Sequence, residues 1–134
     1  MSKLGNKPTY LASLVQAGFP SPGDDLEGSP LDTNELLVRN PSATFFMRVS
    51  GQSMRDAGIY EGDIVVIDKS LSAKDGDMVV AILNGNYTLK KLQLKKGSVP
   101  VLLPANDEFH DLRMKDGDEL SIWGVVTFVI RSTR

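Results

Sequence analysis

The chain of 134 residues contains no cysteine. That absence removes thiol nucleophiles, cysteine-bound metals and disulfides together, and it suits a reducing cytosolic setting without requiring one. Histidine is almost as scarce. The single copy, His110, stands between Phe109 and Asp111, just after the polar run Pro104-Ala105-Asn106-Asp107-Glu108. A lone loop histidine is ordinarily a solvated surface residue, so a histidine-based triad has little support. No charge of one sign dominates: 15 Lys and Arg against 17 Asp and Glu leave a net charge of −2. Without a basic excess or stripe, direct sequence-specific DNA binding is not expected. Long apolar runs are missing too. None approaches the roughly 18 residues that span a bilayer, and Lys3 and Lys7 are not followed by the apolar core of a signal peptide. The expectation is a cytoplasmic protein without membrane association.

What is present is an ordinary globular composition, 41% hydrophobic and 24% charged, sufficient for one core. The chain divides into a flexible N-terminal arm, residues 1–30, and a β-rich domain, residues 31–134. Residues 19–30 are dense in Pro, Gly, Ser and Asp, the composition of a loop or arm. Before them, residues 10–17 could form one or two helical turns, stopped by Gly18 and Pro20 and marginal alone. Asp32 and Glu35 have the spacing of a capping box, which predicts a short helix over 32–39 ending before Pro41.

Strands follow. Residues 43–49 are β-rich, residues 63–68 form a near-continuous apolar run such as a doubly buried strand shows, and residues 77–83 form another. Asn84-Gly85-Asn86 is a hairpin turn, because Asn-Gly tolerates positive φ, and residues 87–94 are its return strand. Residues 99–103 form a short strand, placed at an edge by Pro100. Residues 120–131 close the chain with the only tryptophan, Trp123. The architecture expected is mainly β, with one or two short helices.

Gly-Asp pairs precede three of these strands, at Gly62-Asp63, Gly76-Asp77 and Gly117-Asp118. Calcium binding is one reading, but a calcium loop needs more oxygen ligands and a distal Glu at fixed spacing. The plainer reading is a turn in which Gly supplies backbone freedom and Asp bonds the turn amides. No metal or other cofactor is expected.

A peptidase with neither cysteine nor a usable histidine needs another base, and a neutral lysine can serve. Ser53 lies in Ser50-Gly51-Gln52-Ser53-Met54, a Gly-containing turn after the first β-rich run, where a hydroxyl is well presented. A plain turn serine has the same appearance. In Tyr87-Thr88-Leu89-Lys90-Lys91-Leu92-Gln93-Leu94, alternation puts Lys90 on a face with Thr88, Leu92 and Leu94, and Lys91 on the other with Tyr87, Leu89 and Gln93. The first face is the more apolar toward its end, which favours Lys90 as the inward-facing lysine. A lysine snorkelling from a sheet edge is the alternative. To be half neutral near pH 7, a lysine must fall from about 10.4 by a margin worth about 4 kcal/mol; burial can supply this.

Three stretches resemble the LexA/UmuD-type family of self-cleaving Ser-Lys peptidases of the bacterial SOS response. They are Leu14-Val15-Gln16-Ala17-Gly18-Phe19-Pro20-Ser21-Pro22, similar to the family's cleavage segment; Ser50-Gly51-Gln52-Ser53-Met54 with Gly58-Ile59 and Gly62-Asp63, similar to its nucleophile turn; and Thr88-Leu89-Lys90-Lys91-Leu92, similar to the segment bearing its catalytic lysine. Pro41-Ser42-Ala43-Thr44 and Trp123-Gly124-Val125-Val126 add to the resemblance. Ala17-Gly18 is the dipeptide that LexA-type repressors carry at the scissile bond.

The resemblance implies a signal-peptidase-like β domain, Ser53 as nucleophile and Lys90 as its base. It also implies cleavage between Ala17 and Gly18, with the backbone amide of Ser53 or Met54 stabilising the oxyanion. It further implies a homodimer, stimulation by the RecA filament on single-stranded DNA, and service as accessory to the Y-family polymerase subunit UmuC in translesion synthesis. About 40 residues before the β domain leave no room for a helix-turn-helix unit, which favours the UmuD side of the family over a repressor. The alternatives are a non-catalytic dimeric adaptor for such a polymerase, or a modulator that pairs with a host homologue.

Overall fold

A computed structural model describes residues 9–12, 15, 17–19 and 28–134. The chain falls into two compact units, Met1–Arg39 and Asn40–Arg134.

In the first unit, β1 (Thr9–Leu11) pairs antiparallel with β2 (Ser29–Leu31), Tyr10 opposite Pro30. Tyr10 and Leu11 are therefore extended, not the start of a helical turn, and Ser29 and Pro30 are strand, not loop. Pairing across the unit overrides a helical preference too short to stand alone, and Pro30 is tolerated because a two-stranded ribbon is all edge. Ser13, Leu14 and Gln16 of the expected turns lie outside the described residues. Helix α1 spans Thr33–Leu37, shorter than predicted. Asp32 caps it, accepting from the amides of Asn34 at 2.9 Å and Glu35 at 3.4 Å, which satisfies two donors the first turn leaves free. Val38, at φ −121° and ψ 87°, ends it.

The second unit is a seven-stranded antiparallel sheet in the order β3-β4-β9-β5-β6-β7-β8. Its strands are β3 (Thr44–Arg48), β4 (Ile64–Asp68), β5 (Met78–Leu83), β6 (Asn86–Gln93), β7 (Val101–Leu103), β8 (Leu112–Arg113) and β9 (Leu120–Ile130). Single 3-10 turns lie at Pro41–Ala43 and Arg55–Ala57. The run through β4 is buried on both faces, Val65, Val66 and Ile67 at 2% exposure or less, and its two edges are paired by β3 and β9. Asn84 and Gly85, at φ 51° and 82°, make the two-residue connection between β5 and β6, the positive-φ hairpin their residue types favour.

β7 is not an edge strand. It pairs with β6 on one side and β8 on the other. Pro100 lies just before its first residue, so the missing amide costs the ladder nothing. β8, two residues long, carried too little apolar alternation to be read from sequence.

Neighbouring residues of β5 point to opposite faces. Val80 joins a cluster with Val49, Met54, Ile59, Val65 and Ile67. Val79 joins one with Ala81, Leu92, Leu102 and Val125. The sheet is thus apolar on both faces, and the first cluster lies under the turn that carries Ser53.

The three Gly-Asp pairs build one turn three times. Gly62, Gly76 and Gly117 have φ of 93°, 89° and 87°, values only glycine adopts cheaply. The amides of Asp63, Asp77 and Asp118 donate at 3.0 Å to the carbonyls of Tyr60, Lys74 and Lys115. The three carboxylates accept in return from the amides of those same residues at 2.8 Å. Turn chemistry accounts for the motif.

Candidate active site

β6 carries Lys90 and Thr88 on one face. Lys90 is half-buried and Lys91 is exposed, as alternation predicted. The β6–β7 ladder runs only from Gln93 to Lys91, opposite Leu103. The next step along it would bring a partner to Lys90, but there the chain leaves the sheet at Pro104. The turn carrying Ser53 docks beside the departing chain. The Ala105 amide donates to the Ser53 carbonyl at 2.6 Å, and the Asp56 amide donates to the Ala105 carbonyl at 2.6 Å.

This brings the two predicted residues together. Lys90 Nζ lies 3.0 Å from Ser53 Oγ, 2.8 Å from Thr88 Oγ1 and 3.2 Å from the Leu89 carbonyl oxygen. Burial pushes the Lys90 ammonium below its usual range, because the charged form loses water. Among the described residues no carboxylate pairs with it to offset that loss. A neutral amine has two N–H bonds and one lone pair. With Leu89 and Thr88 accepting the two N–H bonds, the lone pair is left for the Ser53 hydroxyl, which then donates to it.

The pair lies in a cleft of about 250 Å³, walled by Met47, Val49, Gly51, Val80, Tyr87 and Leu89 among others. Among the described residues, the other charged side chain lining it, Arg48, donates from Nη1 to the Gly62 carbonyl at 2.9 Å. Among the described residues, the Ser53 and Met54 amides donate to no backbone acceptor outside the regular elements and to no side chain. Ala17 and Gly18 are exposed and form part of a bend in the first unit. His110 is exposed and does not line this cleft. Among the described residues, no cluster of three or more His, Asp or Glu could hold a metal.

Several residues that hold the site were not read from the sequence as its supports. Asn106, 4% exposed, donates from Nδ2 to the Gln52 carbonyl at 2.8 Å and accepts from the Glu108 amide at 3.0 Å. Glu61 Oε1 accepts from the Gly51 amide at 3.1 Å. Asp63, 2% exposed, meets Arg131 through both oxygens, at 2.7 and 2.6 Å. The Arg131 guanidinium, and secondarily the Tyr60 amide, hold the Asp63 carboxyl below the usual carboxylate range against the opposing effect of burial. The first two residues looked like ordinary loop polar residues. Only Asp63, buried beside a glycine turn, had a pattern that could have been followed.

The family model described as Peptidase S24-like matches residues 8–127. Protein MucA of Salmonella typhimurium is 43% identical over 127 residues, 94% of this chain and 85% of that protein. Protein SamA of Salmonella typhimurium is 44% identical over 118 residues, 88% of this chain and 81% of that protein. The LexA repressor of Bordetella avium is 39% identical over 131 residues, 91% of this chain but 61% of the repressor.

Proposed function

The chain belongs to the Peptidase S24-like family, and from that premise we propose that it is a self-cleaving serine peptidase that removes its own N-terminal arm between Ala17 and Gly18. The observation that carries this reading is the 3.0 Å contact between Lys90 Nζ and Ser53 Oγ in a cleft that disfavours the ammonium.

In the proposed reaction the neutral Lys90 amine takes the Ser53 proton as Oγ attacks the Ala17 carbonyl carbon. The Ser53 or Met54 amide, free of the acceptors described above, faces the developing oxyanion. The intermediate collapses with cleavage of the Ala17–Gly18 C–N bond. Lys90 gives its proton to the departing Gly18 nitrogen, and Ala17 remains as an ester on Ser53. Water, deprotonated by Lys90, then hydrolyses the ester. The products are residues 1–17 and a fragment of 117 residues beginning at Gly18 (134 less 17).

The same reading makes the reaction dependent on a RecA filament on single-stranded DNA, which would favour the conformation with the arm engaged and Lys90 dry. The processed homodimer would serve a Y-family polymerase, UmuC in the family resembled, in the cytoplasm. Among the described residues no helix is long and apolar enough to cross a membrane.

Mass spectrometry of the purified chain after incubation at pH 7 and pH 10 tests the reading. A fragment beginning at Gly18, faster at pH 10 and absent in Ser53→Ala and Lys90→Ala, is expected. A folded chain that stays intact at pH 10, and also with RecA and single-stranded DNA, would leave a non-catalytic adaptor as the better account.

A further inference from the structure

We propose that Arg131 is a positioning residue for the nucleophile: its guanidinium locks the 58–63 loop, and that loop grips both ends of the turn carrying Ser53. The inference rests on the Ser53–Lys90 reading above.

Arg131 stands one residue beyond β9, far from Ser53 in sequence. Its Nη2 donates to the Gly58 carbonyl at 2.6 Å as well as to Asp63. The guanidinium also lies 4.5 Å from the centre of the Tyr60 ring, where a cation is attracted by the ring face. One side chain thus touches the loop at its beginning, its middle and its end.

The loop in turn holds the nucleophile turn. At the start of that turn, the Val49 amide donates to the Asp63 carbonyl at 2.8 Å, and the Gly62 amide donates to the Val49 carbonyl at 2.9 Å. Farther on, Gly51 is held by Glu61. At the end, the Ile59 amide donates to the Met54 carbonyl at 3.2 Å, and Met54 and Ile59 are both buried. Residues 50–53 belong to no strand, so their position is inherited from these bonds and from Ala105 and Asn106. A misplacement of the order of 1 Å between reacting groups costs about 100-fold in rate, which is why a distant clamp can matter to the reaction.

The planar fork of arginine is what the site requires. It meets both Asp63 oxygens side by side while reaching Gly58, which the single ammonium of lysine cannot reproduce.

The test uses the full chain with Arg131→Lys and Arg131→Ala, both checked for folding by chemical denaturation. Two readouts are compared with wild type: the self-cleavage rate from pH 7 to pH 10, and labelling of Ser53 by a fluorophosphonate, in which a P–O bond to Oγ forms as fluoride leaves. Arg131→Lys is expected to lower the high-pH plateau and the labelling rate at least tenfold. The midpoint of the pH profile should stay in place, because the burial of Lys90 is untouched. Should Arg131→Ala fail to fold, Arg131→Lys carries the comparison, since it keeps the stem and the charge. An unchanged plateau overturns the positioning role, and so does a midpoint moved to higher pH at constant plateau, which would mean only that water has entered the cleft. Wild-type chain that cleaves and labels, matched by Arg131→Lys, overturns the positioning role alone. Wild-type chain that does neither overturns the Ser-Lys reading and the role together.

Discussion

The two partners of the candidate dyad are held in opposite ways. Lys90 sits on an eight-residue strand whose register is fixed by β5 from Asn86 to Lys91, Val79 lying opposite Lys90 itself. Its direction follows from alternation, and Thr88, two residues away, supplies one of its hydrogen-bond partners. Ser53 sits on a turn outside the sheet. What holds that turn comes from residues 58–63, from Ala105 and Asn106, and ultimately from Arg131. The proposed base is placed by local structure and the proposed nucleophile by long-range contacts. Disturbing the first should alter protonation, whereas disturbing the second should alter geometry.

The largest expected effect comes from removing the proton chemistry while keeping the shape. Lys90→Arg retains a long cationic side chain on the same strand face, but a guanidinium does not deprotonate in a protein. Self-cleavage should vanish at every pH from 7 to 10, with no recovery at the alkaline end, as measured by mass spectrometry. Alkaline recovery in this variant would show that Lys90 is not the base.

A smaller effect is expected on the geometric side. Asn106→Ala removes the Nδ2 bond to the Gln52 carbonyl, immediately before Ser53. It leaves the Gln52 carbonyl with the Arg55 amide alone, at 3.1 Å, and takes from the Glu108 amide its Asn106 acceptor, a loss of about 1 kcal/mol. Cleavage should fall about tenfold or more at the pH plateau, with the midpoint of the profile kept. A shift of the midpoint instead would break the division of labour between strand and turn.

The same division explains what could be read from the sequence. Strand periodicity gave β3, β4, β5, β6 and β9 to within a residue or two, and the Asn84-Gly85 hairpin followed from its dipeptide. The pairing of Ser53 with Lys90 as candidates came from a motif resemblance together with alternation along β6. Contacts between residues distant in the chain were not legible. Nothing local marks Asn106 as the support of Gln52, or Arg131 as the partner of Asp63, since loop asparagines and terminal arginines are usually solvated. The short ribbon of the first unit was misread for a related reason, although its helix α1 followed from the Asp32 cap. Tyr10 and Leu11 have no decisive periodicity over so short a stretch, and their state is set by a strand about twenty residues later. Pro100 misled because its position relative to the strand boundary decides whether its missing amide matters, and boundaries depend on the neighbouring strands.

The smallest effect expected is thermodynamic, and it isolates the strand side of the comparison. Lys90→Met, made in a Ser53→Ala background so that both chains stay intact, replaces a half-buried amine with an apolar chain of similar length. In the folded state the Lys90 pKa is depressed from its ordinary value of 10.5 by burial. Between the folded and unfolded values the unfolded chain binds more protons, so stability rises with pH across that window. Below the folded value the burial of charge opposes folding in full, and above 10.5 this opposition is gone. The Met variant should therefore be the more stable by the greatest margin at neutral pH, with the margin shrinking as the pH approaches 10.5. Urea unfolding of the two chains at matched pH measures this, and other ionisations common to both cancel in the difference. A constant margin would mean that Lys90 titrates as it does in water. The cleft would then hold a solvated ammonium, and the geometric bond to Ser53 would have to be explained without a neutral amine.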